Sequence, residues 1–256
     1  SRAETYVGRD PERRGGTNAW VTAIRGCDKF CTFCVVPFVR GRERSVSAQE
    51  IVRQVELIAD KGYKEVTLLG QTVNSYHDGT SDFSDLLYMV SAVPGIARVR
   101  FTSPYPKDFH ECTIEAMAAI PEVCPSLHLP VQSGSDNQLV AMRRGYDLFA
   151  YRRLVEKLRR TIPDLALTTD IIVGFCGETK NDFRLTCELM RDIRFDSAFT
   201  FKYSERSGTY ASKNMSDDVP ESVKGERLQE VIQLQEQISY EINQRRIGVT
   251  EKVLVE

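Results

Sequence analysis

Six short apolar runs, each followed by a stretch with helical periodicity, set the strongest limit on how this chain folds. The runs are AWVTAI (19–24), EVTLLG (65–70), RVRFT (98–102), SLHLPV (126–131), LALTTDIIVG (165–174) and SAFTFKY (197–203). Strands that alternate with helices run parallel, because each helix carries the chain back to the same edge of the sheet. A period of about 30 residues per unit suits a barrel, although six units fall short of the usual eight. The expectation is an α/β fold, a partial (β/α)6 TIM-like barrel over 19–215. A doubly wound open sheet is the alternative that periodicity leaves standing.

The intervening stretches carry start and stop signals. Ser47 with Glu50 reads as a capping box ahead of Ile51, Val55 and Ile58, with Gly62 ending the helix. Ser135 with Gln138 repeats that logic up to Gly145, and Thr179 with Asp182 is a weaker version before Phe183, Cys187 and Met190. One long helix is expected from Pro220 to Ile247, with Asp217, Asp218 and Glu221 near its positive end. Its stripe of Leu228, Val231, Leu234, Ile238 and Ile242 needs a surface to pack on. In domain terms, 1–18 reads as a linker, 19–215 as the barrel and 216–247 as the long helix. The segment 248–256, with the alternating VTEKVLVE after Gly248, reads as the first strand of an incomplete further domain.

Seven cysteines, an odd count, and the lack of a signal peptide or long apolar span point to a reduced, cytoplasmic protein. A chain of this length buries enough surface to fold without staples, so the cysteines are free for other work. Cys27, Cys31 and Cys34 form C-x3-C-x2-C on the loop that leaves the first strand. In a parallel barrel that loop lies on the face where chemistry is done. A structural zinc site ordinarily takes four protein ligands, and the fourth here would have to be distant, with His128 the candidate. A cubane 4Fe–4S cluster instead takes one thiolate per iron, so three cysteines leave one iron open to an outside ligand. Cys187 reads as a core residue on its helix stripe; Cys176 shares the structural reading, with exposure in its Gly-flanked turn as the alternative.

GCDKFCTFCVVPFVRGRERS, LLGQTVNSY, LHLPVQSGSDNQLVAMRRGY and TTDIIVGFCGET, in that order, resemble the radical S-adenosylmethionine methylthiotransferase family. The likeness runs from about residue 19 to the end and is greatest to its tRNA-modifying branch. It implies that Cys27, Cys31 and Cys34 hold a 4Fe–4S cluster whose open iron binds S-adenosylmethionine. One-electron cleavage would then give a 5′-deoxyadenosyl radical, which takes hydrogen from carbon 2 of N6-isopentenyladenosine beside the tRNA anticodon, ahead of methylthio transfer. The implied partners are the tRNA anticodon stem-loop and an electron donor such as a flavodoxin or ferredoxin. The family also carries an N-terminal domain with three further cysteines and a C-terminal RNA-binding domain, so the expectation is a central fragment lacking the auxiliary cluster. A methylthiotransferase acting on a ribosomal-protein aspartate, and a zinc-stabilised RNA-binding module, are the competing functions.

By the same likeness Gln71, Ser103, Gln132, Ser133 and Asp170, each at or near a strand end, would contact the cofactor. Gly134 suits the turn before the next helix. The family commonly has proline where Cys176 stands, which bears on the rigidity of that loop. The net charge of −2 does not announce a nucleic-acid binder, yet arginines cluster locally. Arg40, Arg42 and Arg44 follow the cysteines directly and would suit a phosphate backbone. Arg143 with Arg144 and the group from Arg152 to Arg160 read either as a basic face or as ordinary solvated surface.

Overall fold

Alternation of burial along the strands shows how the sheet is built. The computed structural model describes residues 15–255, so the expected linker lies outside the described residues except for its last four positions. The elements are β1 (Asn18–Thr22), β2 (Ile24–Arg25), α1 (Val36–Arg40), β3 (Arg44–Ser45), α2 (Ala48–Asp60), β4 (Glu65–Leu69), α3 (Phe83–Ser91), β5 (Arg98–Phe101) and α4 (Glu111–Ala119). There follow β6 (Ser126–His128), α5 (Asp136–Ala141), α6 (Leu148–Thr161), β7 (Ala166–Val173), α7 (Lys180–Ile193), β8 (Ser197–Lys202), α8 (Tyr210–Asn214) and α9 (Glu221–Gln244).

Two parallel three-stranded sheets run β1-β4-β5 and β6-β7-β8. A parallel bridge between Val99 and Val123 joins them, with Val99 N donating to Glu122 O at 2.7 Å and Cys124 N to Val99 O at 3.0 Å. The long strands therefore follow chain order around one arc. A doubly wound sheet reverses strand order at a switch point, and no reversal occurs here. The partial barrel is the fold. All six expected strands are present; the antiparallel β2–β3 pair is additional, and at two residues per strand it leaves no periodic trace in the sequence.

In β7, Leu167, Thr169, Ile171 and Val173 are buried under the helices, while Thr168, Asp170 and Ile172 stand half-exposed on the inner face. The main core lies between the outer sheet face and the helices, with Val21, Val66, Leu68, Val99, Leu127 and Leu167 meeting Ile51, Val55, Leu86, Leu158 and Leu189. Cys187 belongs to that core as expected. The stripe on α9 packs on the barrel itself: Val231 and Ile238 are buried, with Leu228, Leu234 and Ile242 against the same core. No helix among the described residues is long and apolar enough to cross a membrane.

Several local expectations change. Thr179 and Asp182 form the complete capping box. Ser135 makes no cap bond; its hydroxyl donates to Asp182 Oδ1 at 2.5 Å, because a carboxylate is a stronger acceptor partner than the hydroxyl is for a backbone N–H. The α5 helix accordingly ends at Ala141, short of Gly145. Cys176 is buried, so the structural reading of it holds. Residues 249–255 form no strand, since a strand requires a partner to pair with; Lys252 O accepts from Arg98 Nη2 at 2.9 Å.

Gly134 serves a close approach more than a turn. A Cβ there would meet Thr186 Cα at 2.4 Å and Leu185 O at 2.6 Å, so α7 sits directly on the chain that follows β6. Gly225, inside α9, has open space around it. Gly134→Ala is expected to cost about 1–3 kcal/mol by overpacking, and Gly225→Ala to stabilise by about 0.5–1 kcal/mol. Urea denaturation midpoints of the two variants check both signs.

Candidate metal and cofactor site

The cysteine loop has no ladder of its own, and side chains from neighbouring strand ends hold it. Gly26 N donates to Gln71 Oε1 at 2.7 Å and Cys27 N to Gly41 O at 3.1 Å. Gly26 has φ +80°, and a Cβ there would lie 2.1 Å from Arg42 O, so only glycine lets the loop leave β2 beside the returning β3. Glu43 is the main tether. Its carboxylate accepts from the Thr72 hydroxyl at 2.5 Å and from Asp28 N at 3.2 Å, with Ser75 Oγ 3.0 Å away. On the far side Thr32 N donates to Met142 O at 3.1 Å, and its hydroxyl to Ala141 O at 2.9 Å.

These bonds place Cys27, Cys31 and Cys34 on one cavity of about 370 Å³ at the carboxyl ends of the strands. Gln71, Ser103, Gln132 and Asp170 line the same cavity. Ser103 and Gln132 both have positive φ, +57° and +77°, where the chain turns out of β5 and past β6. Gln132 is pinned to β7 by its N–H to Asp170 O and its carbonyl to Ile172 N, both at 2.9 Å. Its buried Oε1 has no partner among the described residues, an acceptor available to a bound group.

Ser133 does not reach the cavity. It is fully buried, its Oγ lies 3.3 Å from Thr186 Oγ1, and it accepts from Ser135 N at 3.2 Å. Gln132 leaves the extended region at φ +77°, and the turn that keeps its side chain on the cavity carries Ser133 under α7.

A second cavity of about 430 Å³ adjoins the first, sharing Phe33, Cys34, Val36, Gln132 and Asp170 with it. Ile172, Phe201 and Tyr203 give it apolar walls, and Lys202 and Arg206 lie at its margin.

The donor chemistry suits a soft metal group. Burial pushes the Cys27 thiol up to about 11, against the Lys29 N–H donated to its sulfur, and burial also raises Cys34. Neutral thiols are inert and thiolates are ligands, so this loop ionises when a cation arrives. Among the described residues no three His, Cys, Asp or Glu side chains converge where one ion could sit. His128 also lines the cysteine cavity, and both its ring nitrogens have protein partners there: Nε2 lies 3.3 Å from Asp170 Oδ1 and Nδ1 2.9 Å from Thr168 Oγ1.

The arginines divide. Arg40 ends α1 and Arg42 is exposed, paired with Asp28 at 2.7 Å, while Arg44 is half-buried on β3 with Nη2 3.5 Å from Arg40 O. All three flank the cysteine loop and none lines either cavity. Arg143 is outside, its guanidinium 3.7 Å from the Tyr210 ring centre. Arg144 is buried, against the reading of a surface pair: Nη1 lies 3.3 Å from Cys31 Sγ, Nη2 donates to Pro130 O at 2.9 Å and Nε to Tyr146 Oη at 3.0 Å. Glu43 is not singled out by the sequence, and Arg144 reads there only as half of a basic surface pair. The aromatic Tyr146 two positions beyond Arg144 is the one local hint of its burial.

The chain matches the model of the Radical SAM superfamily over residues 21–190. It is 52% identical to tRNA-2-methylthio-N(6)-dimethylallyladenosine synthase of Chlorobium phaeobacteroides over 255 residues, 99% of this chain and 58% of the relative. The synthase of the same name from Bacteroides thetaiotaomicron is 50% identical over 264 residues, covering 100% of this chain and 58% of its own length. The chain thus spans a little over half the length of the curated relatives it matches. In fold it is similar to coproporphyrinogen III oxidase from Escherichia coli, described as a radical SAM enzyme, with TM-score 0.65 and 19% identity, covering 91% of this chain and 54% of that one. The radical S-adenosylmethionine methyltransferase TsrM from Kitasatospora setae, solved with cobalamin and a [4Fe-4S] cluster, gives TM-score 0.64 and 18% identity over 78% of this chain and 39% of its own.

Replacing Glu43 by alanine leaves the Thr72 hydroxyl and the Asp28 N–H without their acceptor. We expect a loss of about 1–3 kcal/mol, read by urea denaturation, with faster amide exchange across 26–45 as the local signature.

Proposed function

The chain belongs to the radical SAM superfamily, and from that premise we propose that it is the catalytic core of a tRNA methylthiotransferase. The reaction is methylthio transfer to carbon 2 of N6-isopentenyladenosine beside the anticodon. The observation that carries the reading is the convergence at one rim: three cysteines of a single loop and four strand-end polar residues open on one cavity. Identity of 50–52% to named synthases along almost the whole chain supports this choice of substrate.

In this reading Cys27, Cys31 and Cys34 hold a 4Fe–4S cluster, and the open cavity beside them takes S-adenosylmethionine. When bound, that pair supplies one-electron cleavage of the sulfonium, chemistry no side chain provides. The chain's own residues bind and orient. Gln132 Oε1 and the Asp170 carboxylate accept from amino or hydroxyl groups of the cofactor, and Ser103 and Gln71 line the same cavity. Ile172, Phe201 and Tyr203 exclude water from the neighbouring cavity. Arg40, Arg42 and Arg44 lie where a phosphate backbone would pass, with the anticodon stem-loop as partner, and a flavodoxin or ferredoxin would deliver the electron. We read the chain as the central part of a longer cytoplasmic enzyme, residues 19–215 forming the core. The sulfur-donating domain lies beyond these 256 residues, and 248–256 leads into an RNA-binding domain.

Anaerobic reconstitution with iron and sulfide is expected to give a brown chain with about four irons. Cys27→Ala, Cys31→Ala and Cys34→Ala should each lose most of that iron and colour. A colourless chain holding one zinc would sink the reading, and about eight irons would sink its fragment part. For the substrate, the full-length enzyme should modify isopentenylated tRNA and leave ribosomal protein untouched; the reverse result assigns the protein substrate instead.

A further inference from the structure

Arg144 carries a buried positive charge that no carboxylate compensates. It is only 6 % exposed, and no Asp or Glu among the described residues lies within ion-pairing distance of it. Its donors go to Pro130 O, Tyr146 Oη and the Cys31 sulfur. Its guanidinium centre lies 4.8 Å from the Tyr105 ring centre and 5.5 Å from that of Tyr146. A guanidinium does not give up its proton, and burying an ion without an opposite charge costs several kcal/mol. Carbonyls and ring faces offset part of that cost. The remaining partner, a sulfur at 3.3 Å, offsets the rest only as an anion.

We propose that Arg144 is the counter-charge and N–H donor to the cluster at the Cys31 sulfur, and so sets the potential at which the cluster takes an electron. The inference rests on the reading that the three cysteines hold a 4Fe–4S cluster. With three thiolates such a cluster carries a charge of −1 when oxidised and −2 after one electron from an external low-potential donor; no proton or ligand moves at Arg144. A fixed positive charge and an N–H···S bond stabilise the more negative form more, which raises the potential.

The distance is held from both sides. Arg144 N donates to Leu139 O at 2.9 Å and the Tyr105 hydroxyl donates to Arg144 O. The Thr32 bonds to Ala141 and Met142 lock that segment to the cysteine loop. Arg144 is thus a positioning residue that acts through Cys31.

The test is a potentiometric titration of the reconstituted 256-residue chain, followed by the electron paramagnetic resonance of the reduced cluster, without S-adenosylmethionine. Arg144→Gln is expected to lower the midpoint. At the wild-type midpoint its reduced-to-oxidised ratio should fall about tenfold, which is about 59 mV for one electron. Arg144→Lys keeps the charge but not the planar donor, and its midpoint should fall between the two. An Arg144→Gln chain with full iron and an unchanged midpoint overturns the proposal. So does a midpoint that moves only after cofactor is added, the mark of an arginine serving the cofactor's carboxylate. If Arg144→Gln cannot retain its cluster, Arg144→Lys decides, and an unchanged midpoint there overturns the proposal equally. A wild-type chain that assembles no cluster would sink the underlying reading, a separate result.

Discussion

Everything at the rim depends on hydrogen bonds that the cysteine loop borrows from other strands. A ten-residue segment without a ladder has backbone groups to satisfy, and here Gln71 and Glu43 serve one side of it while Met142 and Ala141 serve the other. These residues come from the ends of β4, β3 and α5, so the loop takes its shape only once the barrel has brought those ends together. The positions of three sulfurs are therefore a tertiary property. Asn74 and Tyr105 extend the same logic, exchanging side-chain and backbone bonds at 2.7 and 2.9 Å to tie the loop after β4 to the loop after β5.

Residues with a short-range reason to be where they are could be read from the chain. The six strands follow from alternation, and Gln71, Ser103, Gln132 and Asp170 follow from the rule that strand ends of a parallel barrel share a rim. Ser133 shows the limit of reading a motif as a block: the positive-φ turn at Gln132 keeps that side chain on the cavity and carries its neighbour under α7. Glu43 and Arg144 had no such reason. Their partners lie 29 and 113 residues away, and a charged residue next to another in sequence looks like surface until the fold covers one of them. The two-residue β2–β3 pair was invisible for the opposite reason, being too short for any periodicity.

Charge behaves similarly. Near-neutral composition coexists with locally basic sequence because carboxylates from elsewhere in the chain come to meet the arginines. Arg42 meets Asp28, Arg152 meets Asp192, and Arg227 is buried against Glu178 at 2.6 Å. That last pair is structural in a particular place. Glu178 also accepts from Gly174 N at 2.7 Å, while Lys224 holds Asp217 from the same helix. The GFCGET turn is thus clamped to α9, and the rigidity that proline would give at position 176 is supplied from outside the turn.

The barrel's incompleteness has a chemical consequence. A closed eight-stranded barrel fills its interior with layers of side chains. Among the described residues no ladder joins β8 to β1, and the inner faces of these edge strands stay open, with Trp20, Phe199 and Phe201 each more than half exposed. The Phe199 ring stands 5.7 Å from His128, which lines the cysteine cavity, and Phe201 lines the adjoining one. The open side and the cysteine site therefore share a wall. The unclosed barrel leaves the depth that a closed one lacks, and the two adjoining cavities of about 370 and 430 Å³ occupy it.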